Sequence, residues 1–172
     1  MPTAASSCVD TTHAQAFRAA MATLGGTVSV ITTDGPSGRH GMTATAVCAV
    51  SDDPASLLIC VNRSARLHEV LAANGVFCVN ILAAGQDAIS QAFSDRSLSM
   101  DERFGSVGPL IDLEPGVPAL ADAQAALACR VTMVIEAGTH SVFIGHVTRI
   151  HLGSGHGALV YYGRRYHHLM PL

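Results

Sequence analysis

Residues 41–71, GMTATAVCAVSDDPASLLICVNRSARLHEVL, carry the pattern that decides the fold. Small and β-branched residues alternate over residues 42–51, which predicts one strand with Thr43 and Thr45 on the same face. The DDP triplet that follows has turn chemistry. Residues 55–61 are an uninterrupted apolar run, as expected for a strand that is covered on both faces. This stretch therefore predicts a strand, a turn and a core strand.

The end of the core strand carries the signals of a helix start. Asn62 or Ser64 can cap a helix that ends at the Asn-Gly pair 74–75. Arg63 and Arg66 lie at the same helix N-terminus, where each cation opposes the helix macrodipole at a cost of roughly 0.3 to 1 kcal/mol. A bound anion would reverse the sign of this interaction, so the pattern is typical of a phosphate site. The alternative is a pair of solvated surface arginines.

The chain length and composition predict one domain that assembles with further copies. A chain of 172 residues fits one domain with a sizeable core. We expect residues 1–11 to be a flexible N-terminus and residues 12–172 to form that single domain. Only 13% of the residues are charged, against about 25% in an ordinary domain, while 49% are hydrophobic. So little charge predicts a homo-oligomer, most simply a homodimer, whose interface hides apolar surface.

The composition also argues against several partners. No apolar run approaches the roughly 18 residues of a spanning helix, so we expect no membrane partner. The net charge is −3 and the ten basic residues are scattered, which argues against nucleic acid. The N-terminal sequence MPTAASSCVD lacks a basic start and an apolar core, so we expect no secretory signal. A cytoplasmic location with reduced thiols at the five cysteines follows.

Strand patterns predominate in the rest of the chain. Helices are predicted from Thr12 to the Gly-Gly pair 25–26 and over residues 86–95. Residues 96–118 suggest almost no regular structure and are typical of a disordered loop or a lid. Strand patterns occupy residues 27–34, 76–82, 126–137, 141–152 and 158–162, with hairpin turns at residues 138–140 and 153–157. Six or seven strands with about three peripheral helices predict a mainly β fold, a closed or nearly closed barrel.

The sequence has few patterns that indicate catalysis by its own side chains or by a bound metal. The nine histidines and five cysteines have no metal-ligand spacing, so we expect no metal. No nucleophile motif, Walker loop or carboxylate pair is present, which favours a reaction whose electronics a cofactor supplies. Asn80 interrupts a buried strand and bonds either to neighbouring backbone or to a ligand. Arg103 and Phe104 lie either in a solvated loop or over a ligand.

Several segments together resemble one known family. The stretch at residues 41–71, then GVFCVNIL, SMDERF, GTHSVFIGHV and the terminal YYGRRYHHL, are similar to the short-chain flavin reductases that serve two-component monooxygenases and to the related reductase of pyrimidine utilisation. The similarity extends from Phe17 to Leu169. It implies an FMN-binding split β-barrel of Greek-key type, assembled as a homodimer with FMN or FAD near the subunit interface.

The resemblance also implies a set of site residues. Thr43, Ala44, Thr45 and Ala46 would run beside the flavin ring. Asn62, Arg63, Ser64 and Arg66 would bind the flavin phosphate. Phe77, Val79 and Asn80 would approach the flavin, and Arg103 and Phe104 would close over it. His140 would lie near the nicotinamide as the catalytic residue, and Tyr166 would border the site.

The implied activity is the reduction of FMN or FAD by NADH or NADPH. Hydride would pass from the nicotinamide C4 to the flavin N5, and the reduced flavin would leave for a partner flavin-dependent monooxygenase. The competing interpretation is a flavin- or haem-binding barrel without turnover. A flavin oxidase acting on pyridoxamine phosphate is a further alternative, but the chain lacks an extra basic cluster for the phosphate of that substrate.

Overall fold

The computed structural model describes residues 11–171. The expectation of a flexible segment at residues 1–11 therefore lies outside the described residues, as does Cys8, except that Thr11 is the first residue of a helix. The described helices are α1 (Thr11–Met21), α2 (Arg66–Asn74), α3 (Asp87–Ser94) and α4 (Met100–Gly105). The strands are β1 (Gly26–Thr27), β2 (Ser29–Thr33), β3 (His40–Ala44), β4 (Val47–Asp52), β5 (Ala55–Asn62), β6 (Val76–Ile81), β7 (Leu110–Glu114), β8 (Val117–Leu120), β9 (Ala125–Ala137), β10 (His140–Leu152), β11 (Ala158–Tyr162) and β12 (Arg165–Leu169). The predicted mainly β fold is confirmed.

Seven strands form one sheet in the order β3-β2-β6-β9-β10-β5-β4, and every pairing in it is antiparallel. The two edge strands, β3 and β4, follow each other in the chain with only Thr45 and Ala46 between them. Three Cα–Cα steps span at most about 11 Å, so the sheet curls until its two edges approach each other at this point.

The single strand predicted over residues 42–51 is wrong, because the chain leaves one edge of the sheet and joins the other. At the break, the Val47 N–H donates to the Thr45 carbonyl at 3.0 Å, and the Ala46 carbonyl accepts from the Cys60 N–H at 3.1 Å. The alternation of small residues is continuous across this point. It therefore gave no signal of the change of strand partner.

The core strand β5 is covered more completely on one face than on the other. Leu57, Ile59 and Val61 are buried, whereas the residues between them are only half-buried. The buried side chains pack with residues of α2, β6 and β10, such as Leu71 and Phe143. The predicted cover on both faces is therefore complete only on the face of Leu57, Ile59 and Val61 and partial on the other.

The predicted start of α2 is wrong, although its end is confirmed. Ala65 is the N-cap residue, and no side chain caps this helix end. The Asn62 side-chain oxygen instead accepts from the Ser64 backbone N–H at 2.9 Å and from the Ser64 hydroxyl at 2.8 Å, which fixes the turn before the helix. Gly75 ends the helix in the left-handed conformation, with φ 69°.

Residues 96–118 are more ordered than the sequence suggested. Ser99 accepts from the Glu102 backbone N–H, and the Glu102 carboxylate accepts from the Ser99 N–H and hydroxyl at 2.7 Å each, so a capping box starts α4. Strands β7 and β8 then form a hairpin. The S-x-x-E pattern was present in the sequence, so this helix could have been predicted.

The two C-terminal strands and β1 form a second sheet, ordered β1-β11-β12. Residues 153–157 do not form the predicted hairpin, because β10 and β11 belong to different sheets. The hairpin instead joins β11 to β12, a strand that was not predicted, through the turn residues Gly163 and Arg164. The predicted hairpin between β9 and β10 is confirmed, with Gly138 in its turn at φ 59°.

Within residues 11–171, no helix has the length and apolar character that crossing a membrane requires.

Candidate functional site

A cavity of about 490 Å³ opens between three parts of the fold. Its walls are the edge strand β3, the turn and first residues of α2, and the segment from the end of α3 to α4. We call this cavity the basic pocket, because Arg66, Arg96, Arg103 and His40 line it and no Asp or Glu among the described residues does. Such a wall favours an anion electrostatically.

Helix α2 directs its N-terminus at the basic pocket. Arg66 is the first residue of the helix, and Asn62, Ser64 and Ala65 line the cavity beside it. The first backbone N–H groups of a helix have no partner within the helix and carry the positive end of its dipole. No side chain caps this end, Arg66 lines the cavity, and the first-turn carboxylate of Glu69 does not, so positive charge predominates at the cavity wall. The site therefore suits a phosphate, whose negative charge attracts both the arginine and the positive end of the helix dipole.

Arg103 is held in place before any ligand binds. The residue is only 9% exposed. Its Nε donates to the Leu98 carbonyl at 3.1 Å, and its Nη1 donates to the Phe93 carbonyl at 3.3 Å. A guanidinium has five N–H donors, so these two bonds leave further donors for the cavity. These two bonds fix the Arg103 cation at the wall of the basic pocket.

His40 has an unsatisfied polar atom at the wall of the basic pocket. Its Nδ1 is buried and has no hydrogen-bond partner among the described residues. Burial lowers the pKa of His40 below its usual 6.5, the charges of Arg103 and then Arg66 lower it further, and the Gly41 backbone acts weakly in the opposite direction. The imidazole is therefore neutral at pH 7. An unpaired buried group of this kind costs about 1 to 3 kcal/mol.

Five of the predicted site residues line the basic pocket: Thr43, Asn62, Ser64, Arg66 and Arg103. The Thr43 hydroxyl donates to the Ser90 carbonyl at 2.6 Å, which ties β3 to α3. Helix α3 itself packs through Phe93 and Ile89. The structure thus brings the central stretch of the sequence together with a segment about 40 residues further along the chain.

Two predicted residues lie beside the basic pocket without lining it. The Arg63 Nη1 lies 3.0 Å from the Glu136 Oε2 on β9, so this cation is paired on the far side of the turn. Phe104 is buried against Phe93, with ring centroids 5.1 Å apart, and the Arg39 guanidinium lies 5.3 Å from the Phe104 ring. Neither side chain is among those that face the cavity.

Three predicted residues, Phe77, Val79 and Asn80, are fully buried in β6. The Asn80 Nδ2 donates to the Val30 carbonyl at 2.9 Å and to the Thr32 hydroxyl at 3.0 Å, and its Oδ1 accepts from the Leu120 N–H at 2.8 Å. Of the two alternatives for this amide, the structure therefore favours bonding to neighbouring groups of the protein. None of the three residues lines the basic pocket.

The segment from Ala44 to Ala46 leads away from the basic pocket. Ala44 packs against the core, and Thr45 lines a second cavity of about 540 Å³ beside α1. Tyr166 on β12 reaches the same region from the other sheet. Its hydroxyl lies 2.8 Å from the Ser90 Oγ, and its ring lies edge-on to Tyr161 with centroids 5.3 Å apart.

His140 begins β10 directly after the hairpin turn. It pairs across the sheet with Asn62 of β5, so it lies next to the turn that enters α2. Its Nδ1 lies 2.9 Å from the Thr139 hydroxyl, and the Thr139 carbonyl accepts from the Arg63 N–H at 2.9 Å. His140 is exposed and lines neither cavity.

Two residues that line the basic pocket, His40 and Arg96, were not predicted from the sequence. His40 belongs to the glycine-rich connection GPSGRHG, and its importance depends on the unsatisfied Nδ1, which no sequence pattern reveals. Arg96 stood in a segment that was interpreted as an irregular loop. No group of three or more metal-ligating side chains occurs in the part of the chain that the structure describes.

The chain matches one protein family and is similar to a named bacterial reductase. The family described as Flavin reductase like domain matches residues 21–170. The FMN reductase (NADH) RutF of Variovorax paradoxus is 48% identical over 153 residues, which are 89% of this chain and 84% of that protein.

Two solved structures extend the comparison. The NADH:FAD oxidoreductase SgcE6 of Streptomyces globisporus C-1027, in complex with NAD and FAD fragments, matches with a TM-score of 0.84 and 30% identity over 96% of this chain and 98% of that chain. The styrene monooxygenase flavin reductase SMOB of Pseudomonas putida S12 matches with a TM-score of 0.78 and 28% identity over 91% of this chain and 99% of that chain.

Proposed function

The chain belongs to the flavin reductase-like family, and on that premise we propose that it is an NADH-dependent flavin reductase whose basic pocket binds the phosphate end of FMN or FAD. Residues 12–172 would form one flavin reductase-like domain. The curled seven-stranded sheet would be the split barrel, which is supported by edge strands only two residues apart in the chain. Reduced flavin would then leave for a partner monooxygenase, which is supported by the relative SMOB, named as the flavin reductase of a styrene monooxygenase.

The observation that carries this proposal is the basic pocket. Three arginines and a neutral histidine with a buried, unpaired nitrogen line it, and the wall contains no carboxylate among the described residues. These groups fit a phosphate, and they offer no nucleophile or paired acid and base for chemistry on that phosphate. The flavin, when bound, would supply the hydride-accepting chemistry that the protein lacks.

In this proposal, the residues of the central stretch hold and orient the flavin. Arg66 and Arg103 would bind the phosphate together with Ser64 and the first backbone N–H groups of α2. The backbone from Thr43 to Ala46 would run beside the ring, where small side chains permit close approach. His140 would orient the nicotinamide, which is supported by its register opposite Asn62. The protein thus contributes position and electrostatics.

We also propose a homodimer. Met133 and Ile135 lie on one face of β9 and Val134 on the other, each about half exposed, and Ile150, which pairs with Leu127 further along β9, is 60% exposed. Apolar side chains exposed along these two strands cost free energy in water unless a second copy covers them. Light scattering coupled to size-exclusion chromatography should give twice the 17.8 kDa chain mass. A monomer at micromolar concentration would contradict this part of the proposal.

The test of the activity is a spectrophotometric assay with purified protein. Loss of absorbance at the nicotinamide band on addition of NADH, and only with FMN or FAD present, is the expected result. NADPH measured in parallel sets the nucleotide preference. Binding of flavin without nicotinamide oxidation would favour the non-catalytic flavin-binding barrel, and haem binding without flavin binding would favour the haem alternative.

A further inference from the structure

His40, the first residue of β3, carries a buried nitrogen that the fold does not explain. Within residues 11–171, its Nδ1 is the one buried side-chain N or O atom without a hydrogen-bond partner. Buried polar atoms in proteins nearly always have a partner, so an exception calls for an explanation. The backbone of His40 pairs with Thr33 of β2, so the strand register fixes its position without the imidazole.

The chain that leads into β3 is also held without the His40 side chain. The Asn74 Nδ2 donates to the Gly38 carbonyl at 3.0 Å, and the Arg39 Nε lies 3.0 Å from the Asp34 Oδ2. The first of these contacts ties the connection between β2 and β3 to the end of α2. A structural role therefore does not account for the imidazole, whereas its place on the wall of the basic pocket suggests a role towards a ligand.

His40 shares the basic pocket with cations. Arg66 of α2, Arg103 of α4 and Arg96 line this pocket beside it. Strand β3 contacts β2, which has no ionisable side chain, and the helices α2 and α3. The remaining ionisable side chains of these two helices do not line the pocket: His68, Glu69 and Asp87.

These surroundings keep the imidazole neutral as long as no anion is bound. Burial lowers the pKa of His40 below its usual 6.5, and the charges of Arg103 and Arg66 lower it further, against a weaker opposite effect of the Gly41 backbone. A negative charge in the pocket would shift this balance towards the imidazolium.

A phosphate monoester supplies such a charge. Its second pKa is about 6, so it is mainly a dianion at pH 7. Bound between Arg66 and Arg103, a dianion would offset the repulsion between these cations and a proton on His40, and an opposite charge within about 6 Å favours the imidazolium. Because Nδ1 has no partner in the described chain, the ring can turn about its Cβ–Cγ bond without breaking a hydrogen bond at this atom.

We propose that His40 takes up a proton from solvent when the flavin phosphate enters the basic pocket, and that this proton makes the pocket prefer a phosphorylated flavin to riboflavin. The inference rests on the proposed function for the identity of the ligand. The proton returns to solvent when the flavin leaves. Flavin binding and release are therefore linked to pH through one residue.

The sign of this linkage follows from the direction of the proton transfer. A ligand whose binding adds a proton to the protein binds more tightly as the pH falls. The contribution of His40 to FMN affinity should therefore grow as the pH decreases from about 8 towards about 6.5. Near pH 6 the free phosphate begins to bind a proton itself, which opposes the gain.

The test compares FMN with riboflavin, which lacks the phosphate, at these two pH values. Quenching of flavin fluorescence gives the dissociation constants of the unmodified protein and of His40→Gln. For FMN, His40→Gln should raise the constant about tenfold at the lower pH, because a charged hydrogen bond to phosphate is lost, and less than about twofold at the higher pH. For riboflavin, the two proteins should give the same constants at both pH values. The matched control is His156→Gln, whose residue lines neither cavity and which should behave as the unmodified protein does.

Titration calorimetry counts the protons directly. FMN titrated into the protein in two buffers of different ionisation enthalpy gives the number of protons taken up for each flavin bound. At pH 7 the unmodified protein should take up more protons than His40→Gln does, and riboflavin should cause no uptake. The comparison of FMN with riboflavin needs only the unmodified protein, so it does not depend on the folding of a variant.

The remaining outcomes distinguish this inference from the proposed function. Equal proton uptake with FMN in the unmodified protein and in His40→Gln would overturn the inference, as would the same pH dependence for riboflavin as for FMN. The proposed function would stand in both cases if the unmodified protein oxidises NADH in the presence of flavin. If the unmodified protein binds neither FMN nor FAD, the proposed function fails together with the inference.

Discussion

The Glu136 carboxylate holds the Arg63 guanidinium, with 3.0 Å between Oε2 and Nη1, at the back of the turn that leads into the basic pocket. Arg66, three residues further along, lines the pocket instead. The sequence predicts the same phosphate-binding role for both arginines, but the structure gives them different surroundings. One belongs to an exposed ion pair, and the other faces the cavity at the N-terminus of α2.

Substitution of these two arginines should consequently have unequal effects on flavin binding. Arg66→Gln should raise the dissociation constant for FMN about tenfold, because a charged hydrogen bond to phosphate is lost. Arg63→Gln should change this constant less than about twofold, because the Arg63 guanidinium pairs with Glu136 and does not line the basic pocket. Loss of the exposed ion pair itself should also cost little stability. Quenching of flavin fluorescence measures both constants. Equal losses in the two variants would contradict the division of roles.

The pKa of His40 predicts a pH dependence of stability. Its folded-state pKa is lowered from 6.5 by burial and by Arg103 and Arg66, so the unfolded chain binds this proton more readily. Stability should therefore fall as the pH decreases from 6.5 towards the lower pKa of the folded state. Thermal unfolding measured from about pH 7.5 to about pH 5.5 should show a smaller decrease for His40→Gln than for the unmodified protein.

His156→Gln is the matched control for His40. His156 is exposed in the loop between β10 and β11, and only its backbone makes a described hydrogen bond. This variant should keep the pH dependence of the unmodified chain. An identical slope in His40→Gln would show that other groups determine it.

The parts of the fold that the sequence predicted are those with strong local signals. The strand β6 and the hairpin of β9 and β10 have apolar runs bounded by glycine turns, and α2 ends at the glycine that its sequence indicates. Hydrophobic periodicity and turn chemistry act over a few residues, so these patterns can be recognised without knowledge of the tertiary fold. The elements with the clearest local patterns were therefore found with nearly correct bounds.

The missed features depend on contacts between distant parts of the chain. Nothing between Thr43 and Val47 signals that the strand must break, because the break is required by the closing of the sheet edges. Likewise the pairing of Arg63 with Glu136 and the isolation of the His40 Nδ1 depend on neighbours far away in sequence. The sequence predicted the site residues of the central stretch, such as Arg66. It did not predict all of the wall that the segment from α3 to α4 supplies, because Arg96 was missed.

Asn80 should be a stability residue with no direct effect on flavin binding. Asn80→Ala would leave the Leu120 N–H and the Val30 carbonyl without their side-chain partner in a fully buried site. At about 1 to 3 kcal/mol for each unsatisfied group, the free energy of unfolding should fall by about 3 kcal/mol. Urea denaturation measures this loss, and the exposed amide variant Gln91→Ala provides a control. A folded Asn80→Ala protein with weakened FMN binding would assign this amide to the flavin site.

The tight contact between β3 and α3 gives a final prediction about the shape of the basic pocket. A methyl group at position 41 would lie 2.8 Å from the Phe93 Cδ1, and both residues line the cavity. Gly41→Ala must therefore displace the Phe93 ring, which should lower the free energy of unfolding by about 1 to 3 kcal/mol and raise the dissociation constant for FMN. Gly105→Ala is the control, because a methyl group there meets no atom within 4 Å. Equal FMN affinity in the two variants would show that this wall of the pocket adapts without loss of binding.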